Sequence, residues 1–437
     1  MTQPSPAATA LHAALAEDTL APLRLALSGG LDSCLLLHLL AAEPDWRRRL
    51  EAVHVHHGLS PHADEWAAFC VAQGAALGVP VRVERVQLCP GNGESLEAQA
   101  RRARYEVLAR HLPPGGVLLT AHHGDDQLET LLLAIKRGSG VRGLAGMGAR
   151  QPFAGGVLVR PLLGFARAEL AAQAGVLGLT WVEDESNGDE RFDRNFVRQQ
   201  LAPPLRARWP AILQTAARSM SLCAEAAELL DELAQSDLAA IGEGERLPVA
   251  PLNALSPARR ANVLRHWLRE RGATPPSREQ LTLLWQEVAQ ARADANPSLC
   301  WDLWSCRRHQ GALVVLPRDE PAAPLSWEAE LEVGQWLTLP AGLGRLRLVP
   351  SPAGPLRAPQ GGERLLLRFT VAPGCRLHPI GRAGSRRLKK LWQEYGVPSW
   401  QRGRVPLLHY DETPAAALGV FVCEGFAGTA LGWEWQR

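Results

Sequence analysis

The run Ser28-Gly29-Gly30-Leu31-Asp32-Ser33 places two glycines and two hydroxyls at a turn between apolar segments. Glycine lets a chain turn sharply and brings backbone N–H groups close to a ligand, while the start of a following helix adds unsatisfied donors and partial positive charge. Such a turn suits an oligophosphate. Ser28 and Ser33 can donate to phosphate oxygens, whereas Asp32 beside an anion calls for a cation. The pattern is neither G-x-x-x-x-G-K-S/T, since no lysine follows Gly30, nor G-x-G-x-x-G. By itself a Gly-Gly turn serves equally well as a plain strand-to-helix connection.

Three further stretches carry chemistry. In HHGDDQLETLLLAIKRGSG (122–140), a helix starting near Asp125 sets Leu128, Leu131, Leu132 and Ile135 in a stripe predicted to face a sheet, with Asp126, Glu129 and Thr130 opposite. Asp125 reads as a helix-stabilising first-turn charge. A helix over about 95–111 carries Leu96, Ala100, Ala103 and Val107 on one face and Glu97, Arg101, Arg104 and Tyr105 on the other; Arg101 is the candidate cation for a polyanion, and Arg104 a structural one. The polar stretch 182–205 supplies Asn187, Arg194, Asn195 and Arg198, with Arg194 and Arg198 spaced to project together. Asp184, Asp189 and Asp193 read there as hydrated loop residues. His54, His56, His57, His122 and His123 invite a metal-cluster reading, but His54 and His56 share a strand face while His57 begins a turn, so they do not converge.

These residues need a frame. Strand-like runs at 23–27, 52–55, 79–86, 117–121 and 180–182, separated by helical patterns, predict βα units and a doubly wound parallel sheet. Ligands of such sheets bind at the carboxyl ends of the strands, where residues 28–33 and 126–129 both fall. Beyond them come a long helix over about 211–241, helices at 257–271 and 277–291, Trp-rich strands at 299–316, a loop at 317–325, strands within 327–349 and a Pro/Gly-rich linker at 351–362. The expected division is a catalytic domain over 1–215, a mainly helical middle domain over 216–316, a strand-containing connecting region over 317–362 and a small basic α+β domain over 363–437.

Composition narrows the class. The chain is 46% hydrophobic but has no apolar run long enough to span a membrane, and its start lacks the pattern of a signal peptide. Eight cysteines form no C-x-x-C pair, which points away from a zinc ribbon or cysteine-bound cluster and toward a reducing, cytoplasmic setting. Net charge is only +2, yet residues 357–410 hold eleven Arg and Lys against two acids. With Trp392 and Trp400 interleaved, this segment, including Arg386, Arg387, Lys389, Lys390 and Arg402, reads as a footprint for nucleic acid.

SGGLDS is similar to the PP-loop of the ATP pyrophosphatases. Together with HVHHGLSPHADEW, EAQARRARYEVL, TAHHGDDQLETLLLAIKRGSGVRGLAGM and DESNGDERFDRNFVR, in this order, it resembles the signature of the tRNA(Ile)-lysidine synthetases. The likeness covers about 20–215 and resumes at 364–426; His56 departs from it, since many members have Asn there. The resemblance implies a PP-loop, adenine nucleotide α-hydrolase-like N-terminal domain. It also implies that ATP adenylates the wobble cytidine of a CAU anticodon and that free L-lysine then displaces AMP. Ser28, Gly29, Gly30, Leu31, Asp32 and Ser33 would hold ATP, with Mg²⁺ at Asp32, while Arg101, Asp126, Glu129, Asn187 and Arg198 match active-site positions. The implied partners are tRNA(Ile), L-lysine and ATP, with no membrane, and a homodimer is one option. The alternatives are another PP-loop tRNA-modifying enzyme, such as a thiolase, and a non-catalytic RNA-binding protein.

Overall fold

Leu23, Leu25, Val117, Leu118 and Leu119 are fully buried, and they mark the centre of a sheet covered on both faces. The structure, a computed structural model, describes residues 5–88, 96–183, 185–242, 244–292, 295–318 and 324–436; Cys89 and Asp184 lie outside the described residues, as do the side chains of Glu97 and Asn187. The chain divides into two compact units, Met1–Leu230 and Asp231–Arg437.

In the first unit α1 (Pro6–Ala14) precedes β1 (Leu23–Ala26), α2 (Leu31–Ala42), α3 (Pro44–Arg47), β2 (Leu50–His56), α4 (Ala63–Leu77), β3 (Val81–Arg85), α5 (Leu96–His111) and β4 (Val117–Leu119). Next come α6 (Gly124–Lys136), α7 (Val141–Leu144), the hairpin β5 (Arg150–Phe153) and β6 (Gly156–Val159), and α8 (Arg167–Val176). A 3-10 turn (Glu185–Gly188), α9 (Asp193–Phe196), a π-helical segment (Val197–Leu201), α10 (Ala202–Arg208) and α11 (Ile212–Ile241), whose last residues belong to the second unit, follow. The sheet order is β3-β2-β1-β4-β6-β5, and every pairing is parallel except β5 with β6.

The chain winds outward from β1 through β2 to β3 and then returns to β4 on the other side of β1. The order therefore reverses between β1 and β4, which opens a crevice at their carboxyl ends. Alternation along β4 sends Val117 and Leu119 into the core shared with α1, α2 and α8, and Leu118 into the core shared with Val107 and Leu108 of α5. Leu35, Leu36, Leu37 and Leu40 of α2 are at most 1% exposed, so this helix is fixed by burial on all sides, at about 2 kcal/mol per leucine.

Two expectations change in the first unit. Residues 180–182 form no strand: the Val182 N–H donates to the Gly29 carbonyl at 2.9 Å, which ties this segment to the 28–33 loop, and β6 takes the next parallel place in the sheet. The stripe on α6 faces helices instead of a sheet, because Leu128, Leu131 and Leu132 meet Ala202, Ile212, Leu213 and Ala216 while Ile135 is 59% exposed.

In the second unit α12 (Val249–Asn253), α13 (Pro257–Glu270) and α14 (Arg278–Leu283) share a core with an antiparallel sheet of β7 (Leu247–Pro248), β8 (Ser298–Trp301), β9 (Trp304–His309) and β10 (Ala312–Pro317). Trp267 is its largest fully buried side chain. A second core runs from Leu331 to Leu431 and includes Leu356 at 0% exposure, so the Pro/Gly-rich segment 351–362 is folded in, not a free linker. The strand Arg345–Pro350 pairs with Leu431–Gln436, joining residues on both sides of position 362 in one sheet.

Candidate active site

The 28–33 turn meets the geometric demands that its sequence sets. Gly29 has φ +88°, which favours glycine, and a Cβ there would sit 3.1 Å from Cys70 Sγ, a tight fit that Cys70 would have to relieve. Gly30 is extended and caps α2. Ser28 Oγ lies 3.1 Å from Ser33 Oγ, and Ser33 Oγ donates to the Gly30 carbonyl at 2.9 Å, so the two hydroxyls converge over the helix start. Asp32 Oδ1 is buried and has no hydrogen-bond partner, whereas Oδ2 lies 3.6 Å from His123 Nε2. A buried carboxylate oxygen left without a donor fits a cation contact, and on this observation Asp32 suits Mg²⁺.

On the other side of the switch point α6 starts with a reciprocal cap. The His123 N–H donates to Asp126 Oδ2 at 3.0 Å, and His123 Nδ1 accepts from the Asp126 N–H at 3.4 Å. The acids of α6 face inward: Glu129 is 1% exposed and Asp126 is 7% exposed. Each meets arginine. Arg194 Nε donates to Glu129 Oε2 at 2.8 Å and its Nη2 to Asp126 Oδ1 at 2.9 Å; Arg198 Nε donates to Glu129 Oε1 at 2.6 Å and its Nη2 to Glu129 Oε2 at 3.0 Å. Asp125 is likewise paired, accepting from Arg206 and from the Arg167 N–H. Burial works to raise the Asp126 pKa, but His123, Arg194 and His122 outweigh it and hold the carboxyl below the usual range.

One cavity of about 640 Å³ joins these parts. Its walls include Ser28, Asp32 and Ser33 from the turn, Arg101 and Arg104 from α5, and Arg194 and Arg198. That volume accommodates a nucleotide-sized ligand. His57 and His122 also line it. Both His57 ring nitrogens are buried without a partner, and burial with Arg104 nearby pushes its pKa down to about 4. His122 is pushed down to about 3, chiefly by burial, and its Nδ1 lies 2.9 Å from Thr120 Oγ1, so it is a neutral imidazole near pH 7. Arg101 sits with its guanidinium 5.2 Å from the Tyr105 ring centre. His56 pairs instead with Asp64 at 3.3 Å, outside any metal cluster. Among the described residues no group of three His, Cys, Asp or Glu side chains is arranged to hold a metal.

The structure thus gathers Ser28, Asp32, Ser33, Arg101 and Arg198 around one cavity, with Asp126 and Glu129 bound to its arginine wall. Asn187 lies in the Glu185–Gly188 turn. Sequence spacing gives Arg194 no partner and His123 no role; their contacts span 65 residues (Arg194 to Glu129) and the β1/β4 crevice, and no local pattern encodes them. Arg206 has no signal either, beyond its place in a basic helix end.

The basic segment of the second unit is arranged differently. Arg386 and Arg387 form a short exposed strand, and Lys389 and Lys390 lie exposed on α15 (Leu388–Glu394), none of them in an ion pair among the described residues. Arg402 is half-buried, with Nε donating to the Val397 carbonyl at 3.1 Å. Trp392 corrects an expectation: at 5% exposure it belongs to the core beside Leu391 and Phe421 and cannot stack on a base. Trp400 is half-buried, with Arg307 5.5 Å from its ring centre.

Family models match in three places: a PP-loop domain at residues 4–205, a TilS substrate binding domain at 247–314 and a TilS substrate C-terminal domain at 365–436. The chain is similar to the tRNA(Ile)-lysidine synthases of Salmonella dublin and Salmonella typhi, at 49% identity over 94% of this chain and 96% of each relative. Among solved structures it is similar to the U34-tRNA thiolase NcsA from Methanococcus maripaludis, at 17% identity and a TM-score of 0.40, over 50% of this chain and 78% of that one. With identity this high across nearly the whole length, and with all three domain models matched in the same chain, this protein belongs to the tRNA(Ile)-lysidine synthase family.

Proposed function

We propose that this chain joins L-lysine to the wobble cytidine of a CAU-anticodon tRNA(Ile) at the expense of ATP. In the first step the cytidine O2 attacks the α-phosphorus, the α–β bridge breaks, and pyrophosphate leaves. In the second the lysine Nε attacks C2, the C2–O bond breaks, AMP leaves, and the proton lost from the amine passes to a base. The observation that carries this reading is the single cavity that brings the 28–33 turn to face the arginines bound to Asp126 and Glu129. The turn and the arginines fit a polyphosphate, and the carboxylates behind those arginines fit a cation.

Residue roles follow from chemistry. The backbone of Gly29 to Asp32 and the hydroxyls of Ser28 and Ser33 hold the β and γ phosphates at the start of α2. Mg²⁺, held by Asp32, would neutralise charge developing on the pyrophosphate leaving group. Arg101 and Arg198 hold phosphate or the adenylated base, Asp126 and Glu129 receive the cationic lysine, and Asn187 contributes from the adjoining turn. Residues 1–215 perform the chemistry, while 363–437, through Arg386, Arg387, Lys389, Lys390 and Arg402, hold tRNA. No described helix is long and apolar enough to cross a membrane.

The test is incubation with labelled lysine, ATP and total tRNA. Label should enter one tRNA, a CAU-anticodon tRNA(Ile), with one AMP released per lysine; no label in any tRNA refutes the proposal.

A further inference from the structure

Asp126 and Glu129 present no open carboxylate oxygen. Asp126 Oδ1 takes Arg194 at 2.9 Å and Arg198 at 3.3 Å, and Oδ2 takes the His123 N–H. Glu129 Oε1 takes Arg198 at 2.6 Å, and Oε2 takes Arg194 at 2.8 Å. The two acids and two arginines cancel, so an incoming ammonium meets a neutral cluster in which every carboxylate oxygen already has a donor. Displacing either guanidinium without giving it a new anion would strand a desolvated charge.

The arginines, unlike the acids, have somewhere else to turn. Their side chains keep 25% and 34% exposure and line the same cavity as Ser28, Asp32 and Ser33. A guanidinium binds phosphate in the same bidentate fashion as carboxylate, so polyphosphate is a matched competitor for it. Arg198 also lies within the π-helical segment Val197–Leu201, a rare helical form that occurs mostly as single turns at functional sites. By contrast Arg206, which anchors α10 to Asp125, is absent from the cavity wall and has no such alternative partner there.

We infer that Arg194 and Arg198 are resident counter-cations that close the acidic pair to lysine until polyphosphate enters the cavity and draws them away. The inference rests on the proposed reading of Asp126 and Glu129 as the lysine site. Nucleotide then makes the ammonium site by removing its occupant, so lysine loads onto an enzyme that already carries its energy source. Linkage requires the converse, that lysine tightens nucleotide binding by the same factor.

Calorimetric titration of the full chain with L-lysine, with and without saturating Mg²⁺ and α,β-methylene-ATP, tests this. Nucleotide should tighten lysine binding by about tenfold or more, within the usual range of site coupling. In Arg194→Met, lysine affinity without nucleotide should rise toward the nucleotide-bound value and the coupling should shrink; Arg194→Lys should restore part of it. A folded-state spectrum checks the variants, and the wild-type comparison stands without them. Equal lysine affinity with and without the analogue overturns the counter-cation device and leaves the lysine site standing. No lysine binding in either state overturns both.

Discussion

The candidate active site of the first unit and the exposed patch at 386–390 of the second use positive charge in opposite ways. In the first, Arg194, Arg198 and Arg206 are spent on buried carboxylates, where each donor has a defined acceptor and the loss of one partner strands another. In the second, Arg386, Arg387, Lys389 and Lys390 stand exposed on a short strand and helix, where solvent and salt screen them. Charge that is buried specifies geometry; charge that is exposed supplies attraction. The proposed function draws on both arrangements, one to position a reaction and one to attract a long polyanion.

The contrast is easiest to break at Glu129. Glu129→Gln removes the carboxylate that serves both arginines, and we expect a loss of about 3–5 kcal/mol in unfolding stability, measured by urea titration, together with loss of lysine transfer. A loss below about 1 kcal/mol would place this pair with the surface charges. Gly29→Ala comes next: with φ +88° and Cys70 Sγ 3.1 Å from the new Cβ, it should cost about 1–2 kcal/mol and weaken ATP binding, whereas Gly30→Ala should be milder.

At the exposed end, Lys389→Glu with Lys390→Glu should leave ATP binding and stability nearly unchanged. It should weaken tRNA binding across sequences and flatten the slope of log K against log salt by about one for each phosphate no longer neutralised. Unchanged tRNA affinity removes this patch from the interface.

A last effect separates the units by pH. His57 is held neutral, with its pKa lowered from 6.5 to about 4, so its contribution to stability is present above pH 6.5 and is lost as pH falls toward 4. Glu363, paired with Arg357 in the second unit, is lowered from 4.5 to about 2, and its contribution is lost only below pH 4.5. His57→Gln should therefore reduce the acid sensitivity of thermal unfolding between pH 6.5 and 4, and Glu363→Gln should not.

Local sequence determined the pieces. The glycines of the 28–33 turn, the apolar run of α2 and the start of α6 follow from residue type and short spacing, because turn conformation and helix periodicity are decided within a few residues. Winding of the βα units then put the turn and α6 on either side of one crevice, which is also legible once parallel strands are assumed. The tertiary structure alone decided the partners. Nothing near Arg194 announces Glu129, nothing near His123 announces Asp32, and Trp392 among its charges gave no sign of packing on Phe421. Burial and pairing are properties of surfaces that meet only after folding, so the sequence established which charges exist and the fold established which of them are already spoken for.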